Sequence, residues 1–330
     1  MRVAVVIPAF NAKTTLDRCL DACLRQTRPA DEIVVVDDGS TDETPRIAEA
    51  HGVHCIVQQR QGPAAARNAG TRAARADIVV FTDSDCVPEP EWLERLLDGF
   101  APGVAGVGGG YGIENSGSWL ARAVHEEIRT RHAALGLEVD YLGSFNVAYR
   151  KEVFEAAGGF DETFTAASGE DNDLAYRIQD AGGTLRYVRN ARVGHFHPER
   201  LWPYLRTQQR HGYWRMKLYR KHPGRAARGD KYAGAVDLIC PPLSLALVAG
   251  IGVTIALCAL GHALPAANLI LSIIVIGYGA IHAVRAWWMA RQAADLSLLG
   301  FAGVAVLRDV ARAVGMVRGI WRFHVAGLES

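Results

Sequence analysis

The chain has 330 residues, enough for one large domain and an appended segment. Its 36 lysine and arginine residues balance 35 aspartate and glutamate residues, so the formal net charge is only +1 at pH 7. Without a net positive field, the chain is not expected to bind nucleic acid. Its 6 cysteines include no C-x-x-C pair, so we interpret them as reduced cytosolic thiols rather than as disulfide partners or zinc ligands.

Short apolar runs alternate with helical stretches over the first 90 residues, which is typical of a parallel sheet covered by helices on both faces. Ligands of such sheets bind beyond the carboxyl ends of the strands. Polar segments follow three of the predicted strands directly, so we expect these segments, at 8–11, 37–40 and 83–85, to meet at one edge. Strands are predicted at 3–7, 33–36, 53–57 and 78–81, and helices at 14–25, 42–51 and 63–74.

Glycine is frequent between residues 99 and 118, which predicts a loop-rich crossing in that part of the chain. Helical and strand patterns then return. Helices are predicted at 119–135, 152–157 and 174–181, and strands at 141–150 and 185–193.

The composition changes from residue 233 onward. Residues 233–260 contain one charge, Asp237, and residues 264–284 contain none, so each stretch is close to the ~20 apolar residues that span a bilayer. Lysine and arginine flank the pair on both sides, and the turn at 261–263 is uncharged. The positive-inside rule then places both flanks and the N-terminal domain in the cytoplasm. The alternative is a buried helical hairpin of a soluble domain.

Residues 296–324 combine an apolar pattern with regularly placed charges, which indicates an amphipathic helix in the membrane interface rather than a third span. The charged side chains are Arg308, Asp309, Arg312, Arg318 and Arg322.

Two aspartates separated by one serine, Asp83-Ser84-Asp85, follow the apolar run at 78–81. Carboxylate oxygens are the ligands that Mg²⁺ and Mn²⁺ prefer, and these ions commonly bridge a protein to the phosphates of its substrate. The motif therefore predicts a divalent cation site that also accepts a diphosphate.

Five segments together resemble a family 2 glycosyltransferase of the GT-A fold, over about residues 1–215. The resemblance implies a Rossmann-like mixed α/β sheet. The membrane tail is similar to that of bacterial members acting on lipid-linked or cell-surface glycans. The segments are VVIPAFN (5–11), VVDDGSTD (35–42), GPAAARNAG (62–70), FTDSD (81–85) and GED (169–171).

On this basis the chain is divided into four parts. They are a GT-A domain at 1–215, a basic juxtamembrane linker at 216–232, two transmembrane helices at 233–292, and an amphipathic interfacial helix with the C-terminus at 293–330.

The resemblance assigns a nucleotide-sugar-binding role to ten residues. Asp38 is expected to contact the base, whereas Asp37 is expected to be mainly structural, and Arg67 is expected to reach the nucleotide. The ten residues are Pro8, Ala9, Phe10, Asn11, Asp37, Asp38, Gly62, Arg67, Asp83 and Ser84.

The resemblance also implies a metal site for Mg²⁺ or Mn²⁺. Asp85 is expected to be the direct ligand, with Asp83 in contact with the ribose or the metal shell. A late histidine completes the metal site in many GT-A enzymes, which here is His195 or His197, and imidazole is an acceptable Mn²⁺ ligand.

Asp171 is the catalytic base implied by the resemblance, because inversion at an anomeric carbon needs one carboxylate to accept the proton of the acceptor hydroxyl. Glu170 then positions the acceptor or the helix, and Asp173 is expected to be solvated. Asn146, Arg210 and Trp214 are assigned to the acceptor or sugar pocket. The segment around Arg210 resembles the Gln-x-x-Arg-Trp signature of processive synthases only in part, which argues against long-chain polymerisation.

The sequence therefore predicts an inverting, metal-dependent glycosyltransferase at the cytoplasmic membrane, with its catalytic domain facing the cytoplasm. The predicted donor is a nucleotide sugar, preferably a UDP-sugar, and the predicted acceptor is a lipid-linked or cell-surface glycan. The alternatives are a polyprenyl-phosphate acceptor and a non-catalytic membrane-tethered protein that binds nucleotide or glycan. A nucleotidyltransferase is disfavoured, because no basic glycine-rich loop follows the first strand.

Overall fold

The computed structural model describes residues 1–228, 235–260 and 265–327. The predicted turn at 261–263 and the end of the predicted linker, 229–232, lie outside the described residues.

An eight-stranded mixed sheet forms the centre of the described N-terminal part, in the order β3-β2-β1-β4-β7-β6-β8-β5. The first four strands in this order are parallel, and β7 runs antiparallel to both β4 and β6. The strands are β1 (Val3–Ala9), β2 (Glu32–Asp37), β3 (His54–Val57), β4 (Ile78–Thr82), β5 (Cys86–Pro88), β6 (Val104–Ile113), β7 (Asn146–Arg150) and β8 (Thr184–His195).

Helices cover both faces of this sheet, as the sequence predicted. Neighbouring residues of one strand enter different cores, because side chains alternate between the faces. Val5 packs with α1 and α4, whereas Val6 packs in the cluster that contains α6 and α7. The helices are α1 (Leu16–Leu24), α2 (Thr44–Ala50), α3 (Pro63–Ala73), α4 (Trp92–Asp98), α5 (Trp119–Ala133), α6 (Lys151–Ala156), α7 (Glu170–Asp180), α8 (Leu201–Lys221), α9 (Pro223–Arg228), α10 (Ala235–Ala259), α11 (Pro265–Ala293) and α12 (Phe301–Ile320).

The order of the strands determines where the polar segments lie. β1 is in the sheet between β2 and β4, so the chain builds strands on one side of β1 and later returns to pair with its other side. Crevices form where the strand order reverses in this way. The carboxyl ends of these three strands carry the polar segments at 8–11, 37–40 and 83–85, which therefore lie at the same edge.

The glycine-rich segment is not a loop, which corrects the sequence-based expectation. Residues 104–113 form β6, and its glycines allow close packing rather than a turn. A Cβ atom added to Gly109 would lie 1.9 Å from the carbonyl oxygen of Ala191, and one added to Gly106 would lie 2.6 Å from the Tyr149 ring. Glycine inside a strand often marks such a close approach, and its weak strand propensity conceals the strand in the sequence.

Two C-terminal helices are long and apolar enough to cross a membrane. They cover Val236–Ala259 and Pro265–Ala293, with mean hydropathy 2.1 and 1.9. Within the most apolar stretch of each helix, only 11% is buried inside the protein. A core helix of a soluble domain would be mostly covered, so the buried-hairpin alternative does not describe these two helices.

Helix α12 differs from the predicted interfacial helix. It packs along α8 and also contacts α10. Arg308 and Asp309, which were expected on a solvated polar face, are both buried. The reason is that acidic and basic partners on other helices cover them: Arg308 pairs with Glu127 of α5, and Asp309 pairs with His282 of α11.

Helix α8 was not predicted as a helix, and it continues past residue 215, where the sequence placed the end of the catalytic domain. The chain therefore has no break in secondary structure at that point. The close packing of α8 on α12 joins the predicted catalytic domain to the C-terminal segment.

Candidate active site

The segments that follow β1 and β2 are joined by side-chain hydrogen bonds. The backbone N–H of Asn11 donates to Ser40 Oγ (2.8 Å), and Asn11 Oδ1 accepts from the backbone N–H of Thr41 (2.9 Å). Asn11 adopts a positive φ of 48°, a conformation that asparagine tolerates better than most residues. Pro8 and Ala9 form the buried end of β1 just before this turn.

The two aspartates at the end of β2 have different environments. Asp38 accepts from Gln58 Nε2 (2.7 Å) and from the backbone N–H groups of Gln61 (2.8 Å) and Gly62 (2.8 Å). Asp37 Oδ2 accepts from the Ser40 N–H (3.2 Å), whereas its Oδ1 is buried with no hydrogen-bond partner among the described residues. The oxygen with unused accepting capacity therefore belongs to Asp37, the aspartate that the sequence treated as structural.

Gly62 connects this loop to α3. Its φ is +99°, and an added Cβ would lie 2.9 Å from the carbonyl oxygen of Thr165, so only glycine suits the position. Asp38 fixes the N–H of Gly62, and Pro63 begins the helix directly after it. Asp38 therefore sets the start of the helix that carries Arg67.

Arg67 is buried in the protein, where it joins two acidic motifs. Its Nη2 donates to Asp83 Oδ1 (2.7 Å), and its Nη1 donates to Glu170 Oε1 (3.1 Å). Burial lowers the pKa of Arg67, but the carboxylates of Asp83 and Glu170 raise it by more, so the guanidinium stays charged. Because Nη1 and Nη2 each donate to a different carboxylate, Arg67 positions the two acids. Its contact with the nucleotide stays a prediction.

Asp85 and His195 form a potential cation site at the end of β4. His195 Nε2 lies 3.7 Å from Asp85 Oδ2, and the ligand atoms of Asp85, Cys86 and His195 all lie within 4.8 Å of one another. Burial raises the pKa of the Cys86 thiol well above its usual range, so it is a poor third ligand. A carboxylate and an imidazole suit Mn²⁺, and His195 Nδ1 is buried without a partner in the described part of the chain. These residues fit a divalent cation, with Asp83 and Ser84 in the same turn.

His197 has a different environment from His195. Its ring is buried, and its Nε2 lies 3.2 Å from Nδ1 of His125 on α5. Burial, together with the neighbouring His195 and His125, lowers the pKa of His197 to about 3, so the ring is neutral. The structure therefore favours His195 as the histidine near Asp85, and it gives His197 a packing contact with α5.

The Glu170-Asp171 pair begins α7 after Gly169, whose φ of +97° is the left-handed conformation that glycine adopts readily. Glu170 is buried and accepts from the backbone N–H of Ser168 (2.6 Å). Burial and the adjacent Asp171 raise the pKa of Glu170 to about 7, against the opposing effect of Arg67. Burial also raises the pKa of Asp171. Two adjacent acids with raised pKa values are typical of a site that moves protons.

Asp173 is not solvated, which corrects the expectation for this residue. It is completely buried, and it is held by Arg177 Nη2 (2.7 Å), Lys221 Nζ (2.7 Å) and His222 Nε2 (2.8 Å). These contacts tie α7 to the end of α8, because the basic end of α8 supplies two of the three partners.

Comparison with known proteins identifies the family. The model described as "Glycosyl transferase family 2" matches residues 4–158. Glycosyltransferase AglE of Haloferax volcanii is 32% identical over 216 residues, which cover 60% of this chain and 67% of AglE.

The chain belongs to glycosyl transferase family 2. This is the family that the sequence motifs resemble. Pre-mycofactocin glycosyltransferase of Mycobacterium tuberculosis (strain H37Rv) is 35% identical over 238 residues, which cover 68% of this chain and 49% of that protein. The chain thus spans about half the length of the first curated relatives that it matches.

The fold of this family 2 member also has a counterpart among solved structures. Mannosyltransferase PcManGT from Pyrobaculum calidifontis, solved in complex with GDP-Man and Mn²⁺, superposes with a TM-score of 0.59 at 25% sequence identity. The match covers 94% of this chain and 88% of that chain. The GT-A fold expected from the motifs is confirmed.

Three residues predicted for the acceptor pocket have other surroundings. Asn146 is buried: its Oδ1 accepts from Trp92 Nε1 (2.7 Å), and its Nδ2 donates to the carbonyl oxygens of Gly110 and Ala191 (2.9 Å each). Trp214 is buried against Phe164 and Phe323. Arg210 is exposed on α8. Asn146 and Trp214 are thus corrected to packing residues, because hydrogen-bonding and aromatic partners distant in sequence cover them.

Two contacts near the site were not predicted. The Arg60 guanidinium lies 3.8 Å from the centroid of the Phe10 ring, beside the turn that ends β1. His211 Nδ1 lies 2.9 Å from Ser168 Oγ, two residues before Glu170. The sequence assigned Arg210 of this helix to the acceptor pocket. In the structure Arg210 is exposed, and the next residue, His211, contacts the loop that contains Ser168.

Proposed function

We propose that this glycosyltransferase moves a sugar from a nucleotide sugar, with inversion of the anomeric centre, to a hydroxyl group of a lipid-linked or cell-surface glycan. The observation that carries the proposal is the pair of hydrogen bonds from Arg67 to Asp83 and Glu170. These bonds hold the metal-type motif at the end of β4 next to the Glu170-Asp171 pair. A donor diphosphate and a catalytic base would therefore have adjacent places at the same edge of the sheet.

The nucleoside part of the donor is assigned to the edge formed by the ends of β1 and β2. The turn at Phe10 and Asn11 is fixed by Ser40 and Thr41, so its backbone is preorganised. Asp37 Oδ1, which is buried and has no partner among the described residues, would accept from a base N–H or a ribose hydroxyl that displaces its neighbours. We infer a UDP-sugar as the donor, since the imide N–H of uracil can donate to a carboxylate; thymine N3–H and guanine N1–H can do so too, so a donor screen decides among the three bases.

Asp85 and His195 would hold Mg²⁺ or Mn²⁺ at the diphosphate, with Asp83 beside them. A divalent cation in this place stabilises the negative charge that develops on the departing nucleoside diphosphate. Arg67 keeps Asp83 in position through the 2.7 Å hydrogen bond to its Oδ1.

Asp171 would act as the general base. The acceptor hydroxyl oxygen forms a bond to the anomeric carbon as the bond to the diphosphate breaks, and Asp171 takes the hydroxyl proton. Its raised pKa makes it a stronger base than an ordinary aspartate. Glu170, which carries a hydrogen bond from Arg67, fixes the start of α7 and so the position of Asp171.

The two apolar helices support a membrane location. Their side chains are largely uncovered by protein, and the basic residues lie before the first helix and near the end of the second. We infer that α10 and α11 anchor the enzyme in the cytoplasmic membrane with the catalytic domain on the cytoplasmic side.

A donor screen with the purified full-length chain tests the proposal. UDP-, GDP- and dTDP-sugars are incubated with Mn²⁺, with Mg²⁺ or with EDTA, and release of nucleoside diphosphate is measured. We expect turnover with one class of donor, preferably UDP-sugars, and loss of that turnover in EDTA. GDP-mannose is included because PcManGT was solved with GDP-Man. The absence of metal-dependent turnover with every donor would favour a non-catalytic binding protein.

A further inference from the structure

A separate cavity lies between the catalytic domain and the C-terminal helices. Its volume is about 330 Å³, at the small end of the range for ligand-binding pockets. Helix α5 forms one side, and α11 and α12 form the other. Its wall includes Glu127, Thr130, Arg131, Val284, Arg285, Trp288 and Arg308.

The polar part of this cavity has more cations than anions. Three arginines line it, Arg131, Arg285 and Arg308, against one carboxylate, Glu127. Arg308 and Arg131 both pair with Glu127. Asp237 also pairs with Arg131 (2.8 Å) and lies 3.8 Å from Arg285, and Asp309 lies 3.3 Å from Arg308. With Arg312, which lies 3.6 Å from Asp237, the cluster has four arginines against three carboxylates, so a small excess of positive charge favours an anion.

Two donors in the wall are not satisfied by the protein. Arg285 Nη1 and Thr130 Oγ1 are both buried, and neither has a hydrogen-bond partner in the ranges that the structure describes. A buried donor without a partner destabilises the protein, so a ligand that accepts hydrogen bonds from both groups would remove that penalty on binding. Phosphate oxygens accept hydrogen bonds from guanidinium and hydroxyl groups.

The remaining wall is apolar and continues to the outside of the protein. Val284 is 63% exposed and Trp288 is 49% exposed, so the cavity opens along the outer face of α11. That face carries Ile273, Ile276 and other exposed apolar side chains, which suit a hydrocarbon chain. The cavity is too small for a long chain, so a chain attached to a bound phosphate would leave it along α11.

Two series of contacts connect the cavity to the candidate active site. On α5, Thr130 follows His125 by five residues, about 7.5 Å along the helix, and His125 contacts His197 next to the candidate metal site. On α12, Arg312 lies one turn after Arg308 and donates to Gln208 of α8 (2.8 Å). His211, one turn after Gln208, contacts Ser168 before the Glu170-Asp171 pair.

We propose that this cavity binds the phosphate group of the lipid that carries the acceptor. Arg285 and Thr130 donate to the phosphate oxygens, and the hydrocarbon chain leaves past Trp288 along α11. A sugar attached to the phosphate then extends toward Asp171. This inference rests on the proposed function, because it assigns a binding site to the lipid that carries the acceptor.

Binding can be measured without turnover. The full-length chain in phosphatidylcholine nanodiscs is titrated with geranylgeranyl phosphate, and the dissociation constant is determined by calorimetry. We expect geranylgeranyl phosphate to bind, and geranylgeraniol and inorganic phosphate each to bind at least about tenfold more weakly, because each lacks one half of the ligand. Nanodiscs that contain phosphatidylglycerol test whether any anionic lipid competes.

Two variants and a control locate the site. Arg285→Gln and Thr130→Val should each weaken geranylgeranyl phosphate binding, with about tenfold loss for Arg285→Gln. Arg291→Gln, which removes an exposed cation on the same helix, should bind like the wild type. Thr130→Val keeps the side-chain shape, so it remains informative if Arg285→Gln fails to fold.

Three outcomes overturn the inference: unchanged binding in both cavity variants, equal binding of inorganic phosphate, or full competition by phosphatidylglycerol. Metal-dependent release of nucleoside diphosphate in the absence of acceptor is measured on the same preparations. Retention of that activity with loss of lipid binding supports the cavity, whereas an inactive wild type that still binds lipid contradicts the proposed function only.

Discussion

Asp83 and Glu170, which come from opposite halves of the catalytic domain, bind the two terminal nitrogens of one guanidinium. Arg67 lies between them with distances of 2.7 Å to Asp83 and 3.1 Å to Glu170, and its side chain is 1% exposed. Breaking a buried ion pair leaves an uncompensated charge, so this arrangement fixes the relative positions of β4 and α7. The metal-type motif and the catalytic pair are therefore preorganised before substrate arrives.

Replacing Arg67 tests this relationship. Arg67→Ala leaves two acids without their shared cation, and we expect a loss of about 3 kcal/mol in stability together with loss of activity. Thermal unfolding of the purified protein measures the first effect. Arg72→Ala is the matched control, because Arg72 lies on the same helix in an exposed pair with Glu162. Equal melting temperatures for the two variants would contradict the structural role of Arg67.

Replacing Asp171 tests the assignment of the base. Asp171→Asn keeps the size and removes the proton acceptor, so we expect kcat to fall about a thousandfold with a hydroxyl acceptor. Asp180→Asn, on the same helix and exposed, should retain wild-type kcat. A loss of less than about tenfold would instead favour a polyprenyl-phosphate acceptor, since phosphate is already ionised and needs no base.

The pH dependence follows from the raised pKa of Asp171. The base must be ionised, so kcat/KM should fall as the pH decreases through its pKa, and that acid limb should lie above the ordinary aspartate value of 3.8. Glu170→Gln should leave this limb near its wild-type pH, because the raised pKa of Glu170, about 7, keeps Glu170 uncharged at acid pH and because burial raises the pKa of Asp171. A limb that moves to lower pH in Glu170→Gln would show that a negative charge on Glu170 raises the pKa of Asp171.

The two histidines at the end of β8 should have separable effects. His195→Ala should raise the Mn²⁺ concentration needed for half-maximal activity by about tenfold or more, because it removes a ligand next to Asp85. His197→Ala should lower the melting temperature, since His197 is buried and contacts His125, but it should leave the Mn²⁺ requirement unchanged. The reverse pattern would assign the metal to His197.

Asn146 should matter for stability rather than for acceptor binding. Asn146→Ala leaves Trp92 Nε1 and two carbonyl groups without their partner, and we expect a loss of about 3 kcal/mol. Asn190→Ala, at an exposed position of β8, is the control for substitution of an asparagine. A variant with wild-type melting temperature and a raised KM for acceptor would restore the pocket assignment.

Much of the fold could be predicted from the sequence, because strands such as Val3–Ala9 are uninterrupted apolar runs and the polar segments follow them directly. Parallel topology then places those segments at one edge without further information. The strand at 104–113 was missed because its side chains give no apolar period: its glycines are required by neighbours such as Ala191 and Tyr149, which belong to other parts of the chain.

The candidate site was predicted in its composition but not in its contacts. The order of the motifs predicted that Asp83, Asp85, Glu170 and Asp171 belong to one site, and the structure joins Asp83 and Glu170 through Arg67. The two carboxylate partners of Arg67 were not predicted, because an arginine on a helix has the same sequence pattern whether its guanidinium faces solvent, a nucleotide or two carboxylates. Asp173 illustrates the same limit: its three basic partners include two from the end of a helix that was not predicted.

The amino-acid sequence by itself determined the family resemblance, the parallel strands at one side of the sheet and the two apolar helices, since these depend on short motifs and on periodicities within single segments. The tertiary structure alone decided which histidine lies near Asp85, which aspartate of β2 keeps an unpaired oxygen, and that Arg285 and Thr130 share a cavity. The physical reason is distance. Hydrogen bonds and ion pairs act over about 3–4 Å, and the residues that form them come from segments whose separation only the packed chain defines.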